Sequence, residues 1–179
     1  HKLTVTDPLA GMKFETTNFV PVDGSLVEIM QVAITNIGKE TVTFTPTSAI
    51  PLYGRSADNL RDHRHVTSLV NRLIELDNGV AIKPEIVFDE RGHKYNDAIY
   101  YVIGSEDNGN LPTGTIPWLH SFIGDAGTLE WPEAVVRNLK TGQLKKNNGN
   151  EYIGALRFKD CTLNPGEKKE YIILTGICF

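Results

Sequence analysis

Residues 25–36 read SLVEIMQVAITN, and the alternation in this stretch decides the fold. Val27, Ile29 and the apolar residues that follow recur at the spacing of a half-buried strand, whose successive side chains point to opposite faces. The chain continues NIGKE, which is turn-like, and then TVTFTP, which is β-branched and aromatic. Together they predict a hairpin. A second hairpin is predicted around Asn78-Gly79, because LIELDNGVAI sets that pair between two apolar runs and both residues tolerate the positive φ of a type I′ turn. Further strands read at KPEIVFD, DAIYYVIG, GALRFKD and KEYIILTG, with LNPGEK as the turn before the last.

One helix is expected in TLEWPEAVVRNLKTG, with Thr128 as N-cap, Glu130 and Glu133 near the positive end of the dipole, and Gly142 at the close. Residues 104–127, with five glycines and two prolines, read as a long loop. The architecture implied is mostly β, an antiparallel sandwich with one short helix and long loops.

At 179 residues, 40% hydrophobic and 22% charged, the chain suits one globular domain with its own core. A net charge of −4 and a pI near 5.7 argue against a nucleic-acid or anionic-membrane partner. No apolar run reaches the roughly 20 residues of a membrane-spanning helix, and no secretory signal pattern is visible. Cys161 and Cys178 read as reduced thiols of a cytoplasmic protein rather than as one bridge. The chain begins on His1 and finishes on the apolar run YIILTGICF, so residues 1–179 are expected to be one domain of a longer protein.

The chemistry concentrates in LYGRSADNLRDHRHVTSL, residues 52–69. Between Arg55 and His65 stand three arginines, two aspartates and two histidines. This part reads as loop, passing into a strand from about Arg64 that runs on to the second hairpin. His63-x-His65 would put two rings on one face of a strand, as a zinc site requires. Yet Arg61 and Arg64 set positive charge beside that pair, and no further ligand follows, so no metal is expected. A salt-bridged surface loop is one reading, with Asp58 and Asp62 pairing Arg55, Arg61 and Arg64. The other is a polar wall in which aspartates hold arginine forks towards sugar hydroxyls or phosphate. A second polar group, Asp89, Glu90, Arg91 and His93, falls at a hairpin end. Asp89 and Glu90 are adjacent, so on a strand they face opposite ways and cannot form the two-sided carboxylate pair of a glycosidase. Trp118 and Trp131 suit core or interface positions better than sugar stacking.

PLYGRSADNLRDHRHVTSLVNR, IVFDERGHKYND and FIGDAGTLEWPEAV resemble one family in combination, and the likeness extends from about Thr4 to Phe179. The chain is similar to the N-terminal β-sandwich domain of the glycoside hydrolase family 94 phosphorylases, formerly glycosyltransferase family 36. It looks most like 1,2-β-oligoglucan phosphorylases and the phosphorylase-like part of cyclic β-1,2-glucan synthases. Cellobiose phosphorylases carry a different, aromatic string where this chain has DNLRDHRH, which directs the resemblance to β-1,2-linked glucans. It implies an antiparallel, galactose-mutarotase-like supersandwich within a parent that also has a helical-barrel catalytic domain. The implied reaction is inverting phosphorolysis: inorganic phosphate is co-substrate, α-glucose 1-phosphate is released, and no cofactor is used. The family's acid, an aspartate, stands on the barrel, so no catalytic residue is expected in 1–179 and the domain alone is expected to be inactive. The resemblance further implies a homodimer and an arginine directed at the acceptor sugar. Arg64 is the first candidate for it and Arg61 the second. Arg55, Asp58, Asn59, Asp62, His63 and His65 would be neighbours that bind hydroxyls or brace the arginines, and Arg91 a further contact with the β-glucan oligosaccharide. The rivals are a mutarotase-like or carbohydrate-binding module that acts alone, and a dimerisation module whose charged loop pairs across an interface.

Overall fold

A computed structural model describes residues 1–54, 68–89, 92–141 and 151–179. The described strands, β1–β14 in chain order, form two unequal layers. The larger is a seven-stranded antiparallel sheet in the order β1 (Lys2–Asp7), β2 (Met12–Phe19), β3 (Val27–Asn36), β14 (Lys168–Cys178), β10 (Ile99–Glu106), β7 (Gly79–Pro84), β6 (Asn71–Leu76). The smaller runs β11 (Gly114–Trp118), β12 (Tyr152–Arg157), β5 (Thr47–Leu52), extended by the short pair β4 (Val42–Phe44) and β13 (Cys161–Leu163). A separate hairpin joins β8 (Ile86–Asp89) to β9 (Gly92–Tyr95). Two single-turn helices, α1 (Leu119–Ile123) and α2 (Glu133–Val136), pack on the outside of the smaller layer. Among the described residues no helix is long and apolar enough to cross a membrane, which says nothing of a β-barrel.

The layers meet in a core whose fully buried members include Val80, Ile82, Val102, Leu156 and Phe158. The Phe158 and Tyr171 rings lie 4.8 Å apart between centroids, one from each layer. β11 lies over β6 and β7, β12 over β7 and β10, and β5 over β10. The strands β11, β12 and β5 therefore lie over the β6, β7 and β10 part of the large sheet, and Phe158 and Leu163 reach Tyr171 and Ile34 beyond it. Val5 pairs with Phe14 and Phe14 with Ile34, so all three share the core-facing side. Ile34 is buried, while Phe14 is 37% and Val5 50% exposed. The apolar face thus continues past the second layer. A groove of about 320 Å³ marks the step, lined by Phe14, Val32, Phe44, Phe158 and Tyr171.

The β-rich sandwich stands as expected, and five local readings are corrected. β3 and the TVTFTP strand do not form a hairpin: β3 pairs with β2 and β14, and β4 pairs with β13 in the other layer. Asn36 sets the corner. Its side chain is fully buried and donates to Glu40 O at 2.8 Å and Leu163 O at 2.9 Å, while it accepts from Gly38 N at 2.9 Å. A buried amide that answers three backbone groups redirects the chain where a two-residue turn would have reversed it.

The second hairpin exists, β6 with β7, but its turn is Asp77-Asn78, since Leu76 pairs with Gly79. Gly79 sits in the ladder without positive φ. A Cβ there would lie 2.2 Å from Val102 O. The residue is glycine because the β10 backbone passes close by, not because a turn needs it. The strand expected from about Arg64 begins at Asn71, after a helical turn at 68–70. Finally, the helix of TLEWPEAVVRNLKTG is only Glu133–Val136, with Pro132 as N-cap. Thr128 caps a turn instead, its Oγ1 accepting from Trp131 N at 3.2 Å. The helix stops because Asn138 takes φ 47°, where its side-chain oxygen accepts from Arg157 Nη2 at 2.8 Å. The stretch 104–127, expected to be a loop, holds the end of β10, all of β11 and all of α1.

Candidate functional site

Arg55, Asp58, Asn59, Arg61, Asp62, His63, Arg64, His65 and Arg91, the residues the sequence nominates for sugar binding, all lie outside the described residues. The described chain does show the frame from which they spring. β5 delivers the chain to Tyr53-Gly54, and Gly54 is buried. A Cβ at Gly54 would stand 2.7 Å from Pro84 Cγ and 2.9 Å from Asn71 Oδ1. Pro84 and Asn71 are themselves paired in the β6–β7 ladder. The residue before the charged segment therefore packs directly on the first strand residue after it. Only an absent side chain allows that approach.

The same corner anchors the stem of the hairpin that carries the second charged group in sequence. Glu85 N donates to Val70 O at 3.1 Å, and Asn96 N donates to Glu85 O at 3.3 Å, which ties the stem of β8–β9 to the turn leading into β6. Arg72 strengthens the tie: Nη1 donates to Leu69 O at 3.1 Å, and Nη2 pairs with Glu85 Oε2 at 2.8 Å. Both side chains of that pair are about half exposed, so its worth is orientation more than stability. From below, Tyr152 Oη donates to Asn71 O at 3.4 Å and links the two layers at this point. Tyr152 pairs with Leu52 of β5 on one side and with Trp118 of β11 on the other. The bonds of the corner join strands far apart in sequence, so no local signal marks Asn71, Arg72 and Glu85 as the support. The exception is the Arg72–Glu85 tie, which a correct β6–β7 register would have suggested.

Two buried polar atoms lie beneath this corner, Asn71 Oδ1 and Trp118 Nε1, with no hydrogen-bond partner among the described residues. Trp118 is 5% exposed and is a core residue, as its sequence setting suggested. Trp131 is 70% exposed, so of the core and interface positions that the sequence suggested it does not take the first. Among the described residues no group of three His, Cys, Asp or Glu is placed to hold a metal ion. Both cysteines are free, and burial pushes the Cys161 thiol up. Tyr171 is likewise raised far above the usual tyrosine range, with burial the main cause.

The described residues thus fix at one corner the points where two arginine- and carboxylate-bearing segments join the fold: Gly54 and Asn71 for the first, and Glu85 and Asn96 for the second.

The chain matches the model of "Glycosyl hydrolase 94, supersandwich domain" over residues 6–178. No curated protein matches it. Among solved structures, a polysaccharide lyase superposes with a TM-score of 0.52 at 10% identity, over 98% of this chain and 21% of the lyase. An aldose 1-epimerase-like protein from Escherichia coli K12 gives 0.46 at 9% identity, over 99% of this chain and 64% of that one. The lyase likeness concerns fold alone, and this chain spans about a fifth of the lyase's length. With the family model matched over nearly its whole length, the chain belongs to the glycosyl hydrolase 94 supersandwich-domain family.

Proposed function

We propose that this chain is the N-terminal domain of an inverting β-glucan phosphorylase, acting on β-1,2-linked glucans and releasing α-glucose 1-phosphate. Family membership supports the parent class. The observation that carries the domain's own role is the shared corner: Gly54 packs on Asn71 and Pro84, and the β8–β9 stem is tied to the same turn. Two charged segments that leave one rigid point are suited to line one side of an acceptor-sugar site. The rest of the site is completed by the helical-barrel domain of the parent chain. Phosphate is already an anionic nucleophile, so this reaction needs an acid for the leaving oxygen and no carboxylate base. The acid stands on the barrel, and the present domain binds and orients. In this account Arg64, with Arg61 as second choice, donates to acceptor hydroxyls. Asp58 and Asp62 hold the arginine forks, and Arg55, Asn59, His63, His65 and Arg91 complete the polar wall.

The test is initial-rate phosphorolysis by the full-length parent. β-1,2-, β-1,3- and β-1,4-linked glucans are each incubated with inorganic phosphate, and glucose 1-phosphate is assayed. Release from the β-1,2-linked substrate alone is expected. Release from none of the three sinks the phosphorylase assignment.

The uncovered apolar face around Val5 and Phe14 supports a second, compatible role as an interface module. In that role the face is buried by the rest of the parent protein or its dimer partner.

A further inference from the structure

Trp131 stands at a cleft whose lining includes none of the described corner residues. The cleft is open to solvent, with about 410 Å³ between the turn after α1 and the outer side of α2, and Asp125, Ala126, Trp131, Glu133, Val136 and Arg137 line it. A volume near the lower end of the roughly 300–1,000 Å³ typical of small-molecule sites suits one or two hexose rings. Trp131 and Val136 give it an apolar floor, and both are more than half exposed. Its rim is charged. Glu133 Oε1 pairs with Arg137 Nη1 at 2.7 Å across one helical turn, and Asp125 Oδ1 pairs with His120 Nε2 at 3.1 Å.

Local sequence fixes this shape. Gly124 closes α1 with φ 80°, a conformation that favours glycine, and a Cβ there would lie 2.1 Å from Glu133 Oε2. The glycine therefore lets the Glu133 carboxylate seat against the turn. The Thr128 hydroxyl and carbonyl both accept from Trp131 N at 3.2 Å, which sets the backbone that carries the indole. The cleft is built by residues that leave the indole open, although covering it would be favourable in water.

We propose that this cleft is an accessory binding site for a pyranose ring of a β-linked glucan chain. A β-glucopyranose carries its hydroxyls equatorially and presents a flat C–H face, which the Trp131 ring can stack on. Hydroxyls at the ring edge then reach the rim. One donates to the Glu133 carboxylate while its neighbour accepts from Arg137, whose link to Glu133 uses only one of five N–H donors. The charged rim favours this occupant over an apolar protein surface, which would leave Asp125, Glu133 and Arg137 to be desolvated. The site deepens the glucan reading, on which it rests. It would hold a long chain at a second point while one end is processed elsewhere.

The experiment uses the full-length parent and linear β-1,2-glucan, titrated calorimetrically without phosphate. Glucose 1-phosphate release from the β-1,2-linked disaccharide is assayed alongside. Trp131→Ala should weaken glucan binding about tenfold, Trp131→Phe should retain most of it, and Arg137→Ala should weaken it severalfold. Release from the disaccharide should be unchanged in all three. A blue shift of tryptophan emission in the unsubstituted protein on adding glucan, lost in Trp131→Phe, reads the same contact without relying on the alanine variant to fold. Unchanged glucan affinity with unchanged emission overturns the proposal. So does a Trp131→Ala protein that keeps its glucan affinity but loses its dimer, which would make the cleft a protein contact. Trp131-dependent glucan binding without any glucose 1-phosphate release would sustain this site and sink the phosphorylase reading.

Discussion

Asn36 and Gly79 show how single residues decide where this chain goes. Asn36→Ala would leave Glu40 O, Leu163 O and Gly38 N without their shared partner at the corner between the layers. A loss of about 1–3 kcal/mol in chemical denaturation is expected, larger than an exposed asparagine would give. At Gly79, Gly79→Ala drives a Cβ against Val102 O in the neighbouring strand. It should cost about 3 kcal/mol or more, with amide exchange accelerating first along the β7–β10 ladder. A cost below about 0.5 kcal/mol would contradict that placement. Neither role was legible in sequence. Asn-Gly is the dipeptide most suggestive of a tight turn, and here a third strand 20 residues later claims the glycine. Asn36 looked like the start of a turn, and its true partner at Leu163 is 127 residues away.

At the scale of elements, alternation served well wherever a strand had one buried face, as in β3 and β14, because period two is a local property. Pairing was not local. β3 and β4 lie side by side in sequence yet enter different layers, and no pattern within either strand could say so. The charged corner has the same character: its composition was plain in sequence, while the convergence of β5, β6 and β8 arises from register. The end of the β10–β14 ladder gives a pH prediction. Lys169 pairs with Asp107 at 2.6 Å and with Glu106 at 3.1 Å. The hydrogen bond from Lys169 holds the Asp107 carboxyl below its ordinary 3.8, so the stability it lends is present above about pH 4 and lost as pH falls through the depressed value. Burial works to lower the Lys169 ammonium, but Asp107 and Glu106 outweigh it and raise it above 10.5. That contribution is present below pH 10.5 and lost as pH rises through the raised value. Asp107→Asn should therefore lower the melting temperature at pH 7 slightly, within about 1 kcal/mol, and flatten the acid limb below pH 4. An acid limb identical to that of the unsubstituted protein would contradict this.

Across the whole molecule, the apolar face of the large sheet runs on past the buried Met12 and Ile34 to an open edge at β1 and the adjoining part of β2. Leu3, Val5 and Phe14 give that edge an apolar surface, and each is more than a third exposed. Exposed apolar faces of this kind promote association. The 179-residue chain prepared alone should self-associate and bind a hydrophobic dye, and Leu3→Lys with Val5→Glu should reduce both effects in light scattering and fluorescence. A chain that stays monomeric at high concentration without dye binding would contradict this. The same imbalance fits a domain that works as one wall of something larger, which is the central claim made for the corner. That claim is tested most directly in the synthetic direction. The full-length parent is supplied with α-glucose 1-phosphate and increasing acceptor β-1,2-glucan, with Arg64 unsubstituted or changed to Ala or Lys. The account predicts a rise in acceptor KM of roughly tenfold or more in Arg64→Ala, part recovery in Arg64→Lys, and little change in KM for glucose 1-phosphate. Acceptor KM unmoved by Arg64→Ala, and by Arg61→Ala as well, would return the charged segment to a structural role and contradict the account.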